Sequence, residues 1–286
     1  MAVDAAPSGY GRLGLSMFYR STIPGPPLDR FIENLWCLSD APGHARERIL
    51  PSGTLELVIN LHEDEFRIYD AHEERCRRLS GAIVSGAYRR FFVIDTLEHA
   101  SVVGVHFRPG GAAPFLGVPA GGLADAHIDL DAVWGRRAGE LRERLCAAAT
   151  PEQRFRILEH ALRARLDPAR RRHGAALVAA SHLERSGAGV GELAARVGLS
   201  HRRFIDVFGA EIGMTPKLFG RVRRFQRALA LSSRTAPADW AGMAHATGYC
   251  DQSHMIRDFV EFSGFSPADL HRHRGDPVKE NHVALV

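Results

Sequence analysis

Two stretches near the C-terminus of this 286-residue chain repeat one pattern 51 residues apart. In the first, an alanine-rich segment at residues 193–200 leads to an aromatic segment that closes with Gly-Met-Thr-Pro at residues 213–216. In the second, residues 243–250 lead to a segment that closes with Gly-Phe-Ser-Pro at residues 264–267. An internal repeat defines the unit of architecture. Each unit predicts a helix-turn-helix, so we expect two in the chain.

The turn inside each unit is predicted at a glycine, Gly198 in the first and Gly248 in the second. The first helix must stop and reverse within a few residues, which needs a left-handed backbone that glycine adopts without steric cost. Ser200 and Asp251 then follow as N-cap residues of the second helix, each expected to contribute about 1 kcal/mol. The apolar residues at helical spacing around the turns, which predict a buried face, are Leu193, Val197, Leu199, Phe204 and Phe208, and Met243, Tyr249, Met255 and Phe259.

The second unit carries the most specific pattern of the chain. Residues 248–259 read GYCDQSHMIRDF, and a basic segment at residues 219–229 joins the two units. With these features the chain resembles the AraC/XylS family of bacterial transcription regulators over about residues 170–275. Arg224 and Ala228 fall where that family has Arg and Ala on its linking helix. The resemblance implies a DNA-binding transcription factor whose partner is double-stranded DNA, with RNA polymerase as a further partner if the protein is an activator.

Two residues depart from the family pattern. Asp206 stands where the family usually has Arg, two residues before the closing aromatic of the first recognition helix, whereas Arg257 keeps that place in the second unit. An acidic group near phosphates is repelled, so Asp206 either faces the protein, accepts from a cytosine amino group, or weakens the grip of the first unit. Met255 replaces an aromatic residue, a core change that we expect to matter little.

Helix geometry selects the candidates for reading DNA, because the N-terminal part of a recognition helix enters the major groove. Arg202 is the predicted base reader of the first unit, through bidentate bonding to guanine, and Ile205 is placed to touch a thymine methyl. His254 in the second unit either holds a phosphate or packs against the protein. The full set of predicted DNA-binding residues is His201, Arg202, Arg203, Ile205, Gln252, Ser253, His254 and Arg257. The two recognition helices are expected in successive major grooves, about 34 Å apart.

Charge is divided unevenly along the chain. From residue 169 onward there are 17 Lys plus Arg against 11 Asp plus Glu, whereas residues 1–168 have 20 against 22. A region that neutralises phosphates and releases counterions is expected to be basic in this way. The predicted DNA-binding domain therefore covers residues 169–275.

The first 168 residues show the pattern of a separate β-rich domain. Residues 55–61 alternate so that Leu55, Leu57, Ile59 and Leu61 share one face. Further short strands are predicted at residues 82–86, 91–95 and 101–107, and helices at 141–145 and 155–166, with Pro151 opening the second helix. The predicted fold class is therefore α+β: an N-terminal barrel-like or sandwich-like domain with a helical segment, and a C-terminal all-α domain with two helix-turn-helix units. Residues 1–10 are expected to be loose, and residues 276–286 to form a flexible tail.

The β-rich part also offers a regulatory hypothesis. Residues 51–57 and 105–112 resemble the N-terminal domain of a subset of these regulators, which implies a sensor or dimerisation module. His106 and Arg108 at a strand end are candidates for contacting a small-molecule effector, with a structural or solvated role as the alternative. The apolar stripe at residues 155–166 predicts either the seam of a homodimer or packing onto its own domain.

An enzyme is the alternative class of function. It would have a metal-dependent or small-molecule-dependent N-terminal domain, cupin-like or of a DNA-repair type, fused to a DNA-binding module. The chain has 15 histidines but no His-x-His pair followed by Glu at ligand spacing and no HExxH motif. Its four cysteines are scattered, and no apolar run is long enough to span a membrane. We therefore predict a cytoplasmic protein that is not an enzyme, with no catalytic residues, metal or cofactor and no membrane partner.

Overall fold

The computed structural model describes residues 18–39, 46–96, 100–170, 172–185, 189–234, 239–274 and 281–285. The strands are β1 (Phe18–Thr22), β2 (Ile32–Ser39), β3 (Arg46–Ile49), β4 (Glu56–Asn60), β5 (Glu65–Tyr69), β6 (Cys76–Ser80), β7 (Ala82–Ser85), β8 (Phe92–Asp95), β9 (Ser101–Phe107), β10 (His127–Asp129) and β11 (His282–Leu285). The helices are α1 (Ala113–Leu116), α2 (Asp131–Trp134), α3 (Arg137–Cys146), α4 (Pro151–Arg165), α5 (Gly174–Arg185), α6 (Val190–Arg196), α7 (His201–Ile212), α8 (Pro216–Arg234), α9 (Trp240–Ala246), α10 (Gln252–Ser263) and α11 (Pro267–Arg274). Residues 1–10, predicted to be loose, lie outside the described residues.

Two antiparallel sheets form the β-rich part of the chain. One has the strand order β1-β2-β9-β4-β7-β10 and the other the order β11-β3-β8-β5-β6. In β4, Leu57 and Ile59 are fully buried while Val58 between them is half-buried. One face of β4 therefore points to the main core, as predicted. The two sheets and the helices together confirm the α+β fold class.

Helices α3 and α4 cover this part of the chain where helical spacing predicted them. Pro151 is the first residue of α4, and the Thr150 hydroxyl accepts the Gln153 N–H at 3.2 Å, which caps the helix. The apolar stripe on α4 is buried within the chain itself, where Leu158 and Leu162 belong to the main core. The stripe was predicted either to form the seam of a homodimer or to pack onto its own domain. The structure shows packing within the chain.

The segment predicted to be a flexible tail is a strand over His282–Leu285, so the prediction was wrong for these residues. This strand, β11, pairs antiparallel with β3 and places Val283 opposite Arg48, and the Leu50 N–H donates to the Asn281 carbonyl at 2.8 Å. Val283 is fully buried. Hydrophobic periodicity could not predict this strand, because a four-residue strand with one buried valine is too short to show a repeat. Residues 276–280 and 286 lie outside the described residues.

The β-rich part and the helical part share a continuous apolar core that includes Phe107 of β9 and Phe225 of α8. The loop of residues 51–54 contacts α8 directly: Arg223 Nη1 donates to the Ser52 carbonyl at 3.1 Å, and Gln226 Nε2 to the Pro51 carbonyl at 2.7 Å. At a second contact, Arg48 Nη1 on β3 donates to the carbonyl of Ser263 at the end of α10, at 3.0 Å. The linking helix α8 and the second helix-turn-helix unit are therefore held against the β-rich part.

Candidate nucleic-acid interface

The two repeats form two helix-turn-helix units, α6 with α7 and α9 with α10. The backbone at Gly198 has φ +70° and that at Gly248 has φ +87°, the left-handed conformation expected at both turns. Each second helix is capped as predicted: the Ser200 hydroxyl accepts the Arg203 N–H at 3.3 Å, and an Asp251 carboxylate oxygen accepts the His254 N–H at 2.6 Å. The predicted architecture of the repeat is confirmed down to its turns and caps.

The long helix α8 fixes the two units relative to each other through edge-on and tilted contacts between phenylalanine rings. The Phe219 ring lies 5.6 Å from the Phe208 ring of α7, measured between centroids. Further along α8, the Phe225 ring lies 4.9 Å from Phe259 and 5.4 Å from Phe262, both on α10. All five rings are fully buried. Because one continuous helix packs against both recognition helices, the spacing between them is set by α8.

The N-terminal turn of α7 presents a basic surface to solvent. His201, Arg202 and Arg203 are exposed, and Ile205 is half-buried one turn further on. Asp206 is also exposed, which removes the alternative that it faces the protein. Its two remaining roles are acceptance from a cytosine amino group and weakening of the first unit's grip on DNA.

On α10 the exposed stripe consists of Gln252, Ser253 and Arg257. His254 is half-buried, and its ring lies edge-on to the Tyr249 ring at 5.2 Å, so the structure shows packing for this residue. Sequence reasoning missed Val260, which is 50% exposed three residues after Arg257 on the same helix face. The sequence signal for Val260 is its spacing: this apolar residue falls on the helix face of the exposed polar residues and not on the buried face.

A groove lined by basic residues of α8 and α10 lies between the two units. Most of its arginines are engaged within the protein: Arg221 Nη2 contacts an Asp258 carboxylate oxygen at 2.6 Å, and Arg227 Nη1 donates to the Glu184 carbonyl at 2.6 Å. Arg224 Nη1 donates to the Gly248 carbonyl at 3.4 Å, which ties the linking helix to the second turn. Helix α10 contributes the exposed side chain of Arg257 to this groove.

The two residues predicted to contact an effector are not brought together at one site. Arg108 is exposed, and its Nε donates to the Asp29 carbonyl at 2.9 Å, a structural contact. The His106 ring is held on both sides, with Nε2 2.7 Å from the Thr54 hydroxyl and Nδ1 2.7 Å from a Glu56 carboxylate oxygen. Glu56 in turn lines a cavity, so His106 lies one residue behind the cavity wall.

This cavity, of about 70 Å³, lies between the two sheets. Its wall is mostly apolar, with Phe66 and Phe92 among its larger side chains, and its ionisable residues are Glu47, Glu56, His127 and His282. His282 is contributed by β11, and its Nδ1 lies 2.6 Å from a Glu47 carboxylate oxygen. The sequence offered no signal for this cavity, because its wall combines strands that are far apart along the chain.

His127 is a buried polar residue of the cavity wall. Its Nε2 lies 3.2 Å from the Ser85 hydroxyl, and its Nδ1 contacts the Tyr88 hydroxyl. Burial, with a smaller contribution from Arg77, lowers the pKa of His127 from 6.5 to about 3. The ring is therefore neutral at neutral pH, and each of its nitrogens has a hydroxyl partner.

The low pKa of His127 predicts acid sensitivity of the fold. In the unfolded chain the ring gains its proton near pH 6.5, whereas in the folded chain it stays neutral down to about pH 3. The stability that depends on neutral His127 is therefore complete above about pH 6.5 and is lost as the pH falls, by up to about 1.4 kcal/mol per pH unit. Urea unfolding between pH 7 and 4 is expected to show a steeper fall for the natural chain than for His127→Gln. Equal slopes would contradict the assignment.

Two helix-turn-helix units joined by α8, beside a β-rich N-terminal part, define a class of protein: a tandem helix-turn-helix protein. Residues 193–273 match the family model described as "Helix-turn-helix domain", and residues 20–129 match a "Domain of unknown function (DUF6597)". The chain therefore contains a helix-turn-helix domain at residues 193–273, where the structure has its two helix-turn-helix units. No curated protein matches the chain.

Several solved structures are similar to parts or most of the chain. The C-terminal domain of AraT, a response regulator from Geobacillus stearothermophilus, is 19% identical with a TM-score of 0.34, over 36% of this chain and 88% of that chain. An AraC-type transcriptional regulator from Chromobacterium violaceum is 20% identical with a TM-score of 0.31, over 36% and 90%. Wild-type ToxT from Vibrio cholerae, bound to an unsaturated fatty acid, is 8% identical with a TM-score of 0.43, over 91% and 97%.

Two further observations concern metal ligands and membrane spans. Within the described ranges of the chain, no group of three or more His, Cys, Asp or Glu side chains is arranged to hold a metal ion. The described helices include none with the length and apolar character needed to cross a bilayer. The family match supports the regulator and not the enzyme alternative.

Proposed function

We propose that this regulator reads DNA through the exposed N-terminal residues of α7 and α10 and responds to a small molecule bound between its two sheets. In this proposal residues 169–275 are the reading domain and residues 1–168 the sensor domain, completed by β11. The single observation that carries the DNA contact is the position of Arg202 and Arg257. Each is exposed on a recognition helix, and both helices pack against the same helix α8.

The mechanism that we propose is a shift between conformations. An occupant of the cavity that binds one arrangement of the domains better than another changes how the two units are presented to DNA. The direct contacts of β3 and of the 51–54 loop with α10 and α8 support this coupling. A homodimer would bind two copies of the DNA site. RNA polymerase is the expected further partner if the protein activates transcription. We propose that the protein acts in the cytoplasm and that it is not an enzyme.

Substitution of Arg202 and of Arg257 is the most direct test of the proposed DNA contact. Arg202→Ala and Arg257→Ala are each expected to weaken binding to the DNA upstream of the protein's own coding sequence by about 1–3 kcal/mol. Loss of a bidentate guanine contact would also relax the preference at one base pair, whereas loss of a phosphate contact would weaken all sequences equally and reduce the salt slope. Fluorescence anisotropy across a salt series, on matched and single-substituted duplexes, separates the two cases.

A matched control is Arg156→Ala, which removes an exposed arginine from α4, outside the helix-turn-helix units. It is expected to leave the affinity and the salt slope unchanged. If Arg202→Ala behaves like the control while Arg257→Ala does not, the first unit is a scaffold and the proposal of two working units fails. If both behave like the control, the DNA-contacting surface lies elsewhere.

A further inference from the structure

The two recognition helices, α7 and α10, present their residues in the same way. Both have 12 residues, and each ends at a left-handed glycine, Gly213 with φ +93° and Gly264 with φ +77°. The fifth residue of each helix is a half-buried isoleucine, Ile205 in α7 and Ile256 in α10. Since the buried faces coincide, the sixth residue of each helix has the same orientation relative to its own unit.

At this sixth position the two helices carry opposite charges, Asp206 on α7 and Arg257 on α10. Both residues are exposed, and within the part of the chain that the structure describes the Asp206 carboxylate has no hydrogen bond or ion pair. Arg202 lies one turn earlier on the same face without pairing to it, whereas Glu159 and Arg163, at the same spacing on α4, are 2.8 Å apart. The carboxylate is therefore available to a partner outside the chain.

Helix α7 is held in place directly after Asp206. The Phe208 ring packs against α8, and the main chain at Gly209 lies against the 3-10 helix of Ala120–Leu123. A Cβ on Gly121 would lie 2.9 Å from the Gly209 carbonyl oxygen, so this second contact joins two main chains, which cannot give way as a side chain does. The helix therefore cannot rotate freely to move Asp206 away from an unfavourable base pair.

The chemistry of the carboxylate limits which base it can face in the major groove. An ionised carboxylate only accepts hydrogen bonds, so it needs a base that presents a donor. Guanine and thymine present acceptors there and no donor. Adenine presents an amino group beside the N7 acceptor, which repels the second carboxylate oxygen, whereas cytosine presents its N4 amino group without an acceptor beside it. Cytosine is therefore the base that suits this side chain.

Resting on the DNA reading proposed above, we propose that Asp206 selects cytosine at the base pair that faces the sixth residue of α7. The equivalent pair under α10 is a guanine bonded by Arg257. The two half-sites therefore differ at this position. Exchanging them would place the acceptors of guanine against the Asp206 carboxylate, so the chain binds its DNA in one direction.

The test starts from the full chain and a library of duplexes randomised over about three helical turns. Selection and sequencing are carried out with the natural chain, with Asp206→Ala and with Asp206→Asn. We expect one base pair at which the natural chain prefers cytosine by at least about fivefold. Asp206→Ala should reduce this preference to less than about twofold, and Asp206→Asn should change it to adenine, because an amide donates to N7 and accepts from the amino group.

Affinities are then measured by fluorescence anisotropy on four duplexes that differ only at this base pair. Glu140→Gln is the matched control, because it removes the same charge from an exposed position of α3, outside the helix-turn-helix units. It should leave every base preference unchanged. Arg257→Ala should remove a guanine preference at a second pair and keep the cytosine at the first. Thermal unfolding of each variant checks that the fold is retained.

The possible results separate the role of Asp206 from the proposed function. If Asp206→Ala and Asp206→Asn tighten binding to all four duplexes alike, the carboxylate only repels phosphates and the proposal is overturned. Adenine in place of cytosine for the natural chain overturns the choice of base, and a uniform loss of affinity in Arg257→Ala overturns the equivalence of the two helices. If the natural chain enriches no common sequence, the proposed reading of DNA itself fails.

Discussion

A chain with Phe225→Ala is expected to lose about 3–5 kcal/mol of folding stability and to lose specific DNA binding. Phe225 is fully buried on α8, and its ring contacts the rings of Phe259 and Phe262 on α10. Truncation leaves a cavity where the second recognition helix is anchored, so the spacing between the two units is no longer fixed. Urea unfolding gives the stability, and anisotropy with a duplex carrying the binding site gives the affinity.

The matched control is Phe18→Ala, because that side chain is 38% exposed at the edge of a sheet. It is expected to change stability by less than about 0.5 kcal/mol and to leave DNA binding intact. If Phe225→Ala lowered stability but kept full affinity and an unchanged salt slope, the role of α8 in spacing the two units would be refuted.

Gly86→Ala is expected to cost at least about 3 kcal/mol, since a methyl group there meets main chain rather than a movable side chain. A Cβ at this position would lie 1.7 Å from the Leu123 carbonyl oxygen. The Gly86 N–H also donates to the Ala126 carbonyl at 2.8 Å, so the two segments cannot separate without losing that bond. The effect is measured as the fall in unfolding free energy or, if folding fails, as loss of soluble protein.

Gly139→Ala is the comparison for this change. Gly139 is exposed within α3, and a Cβ there meets nothing within 4 Å. Alanine is the better helix former, so this variant is expected to gain about 0.5–1 kcal/mol. A similar loss for both glycines would mean that contact with the Leu123 carbonyl is not what excludes a side chain at residue 86.

The helical part was predictable because its signals are local and occur twice. Gly198 and Gly248 marked the turns, Ser200 and Asp251 marked the caps, and all four are found in those roles. Each signal depends on residues within one or two helical turns, where spacing along the sequence equals spacing in the structure. The exposure of Asp206 was the local feature that the sequence left undecided.

The β-rich part was predictable where short runs of apolar and β-branched residues stand between turn-forming or polar segments, as in β4, β7 and β9. Strand β2 escaped prediction since its pairing with β9 shifts register between Ile32 and Asn34, which breaks the alternation of buried residues. The cavity could not be predicted, because contacts such as that of Glu56 with His106 join residues 50 positions apart. His106 was predicted either to contact an effector or to have a structural role, and its partners were visible only in the structure.

The position of β11 also has a consequence for the order of events during synthesis. His282–Leu285 forms the edge of a sheet whose other strands lie within residues 46–95, and it supplies His282 to the cavity. The ribosome makes this strand after the eleven α-helices that the structure describes, so the main-chain hydrogen-bonding groups of β3 stay unpaired along one side until β11 is made. A nascent chain that already carries α7 and α10 therefore still lacks one wall of the cavity between the sheets, and any response that depends on this cavity must wait for β11.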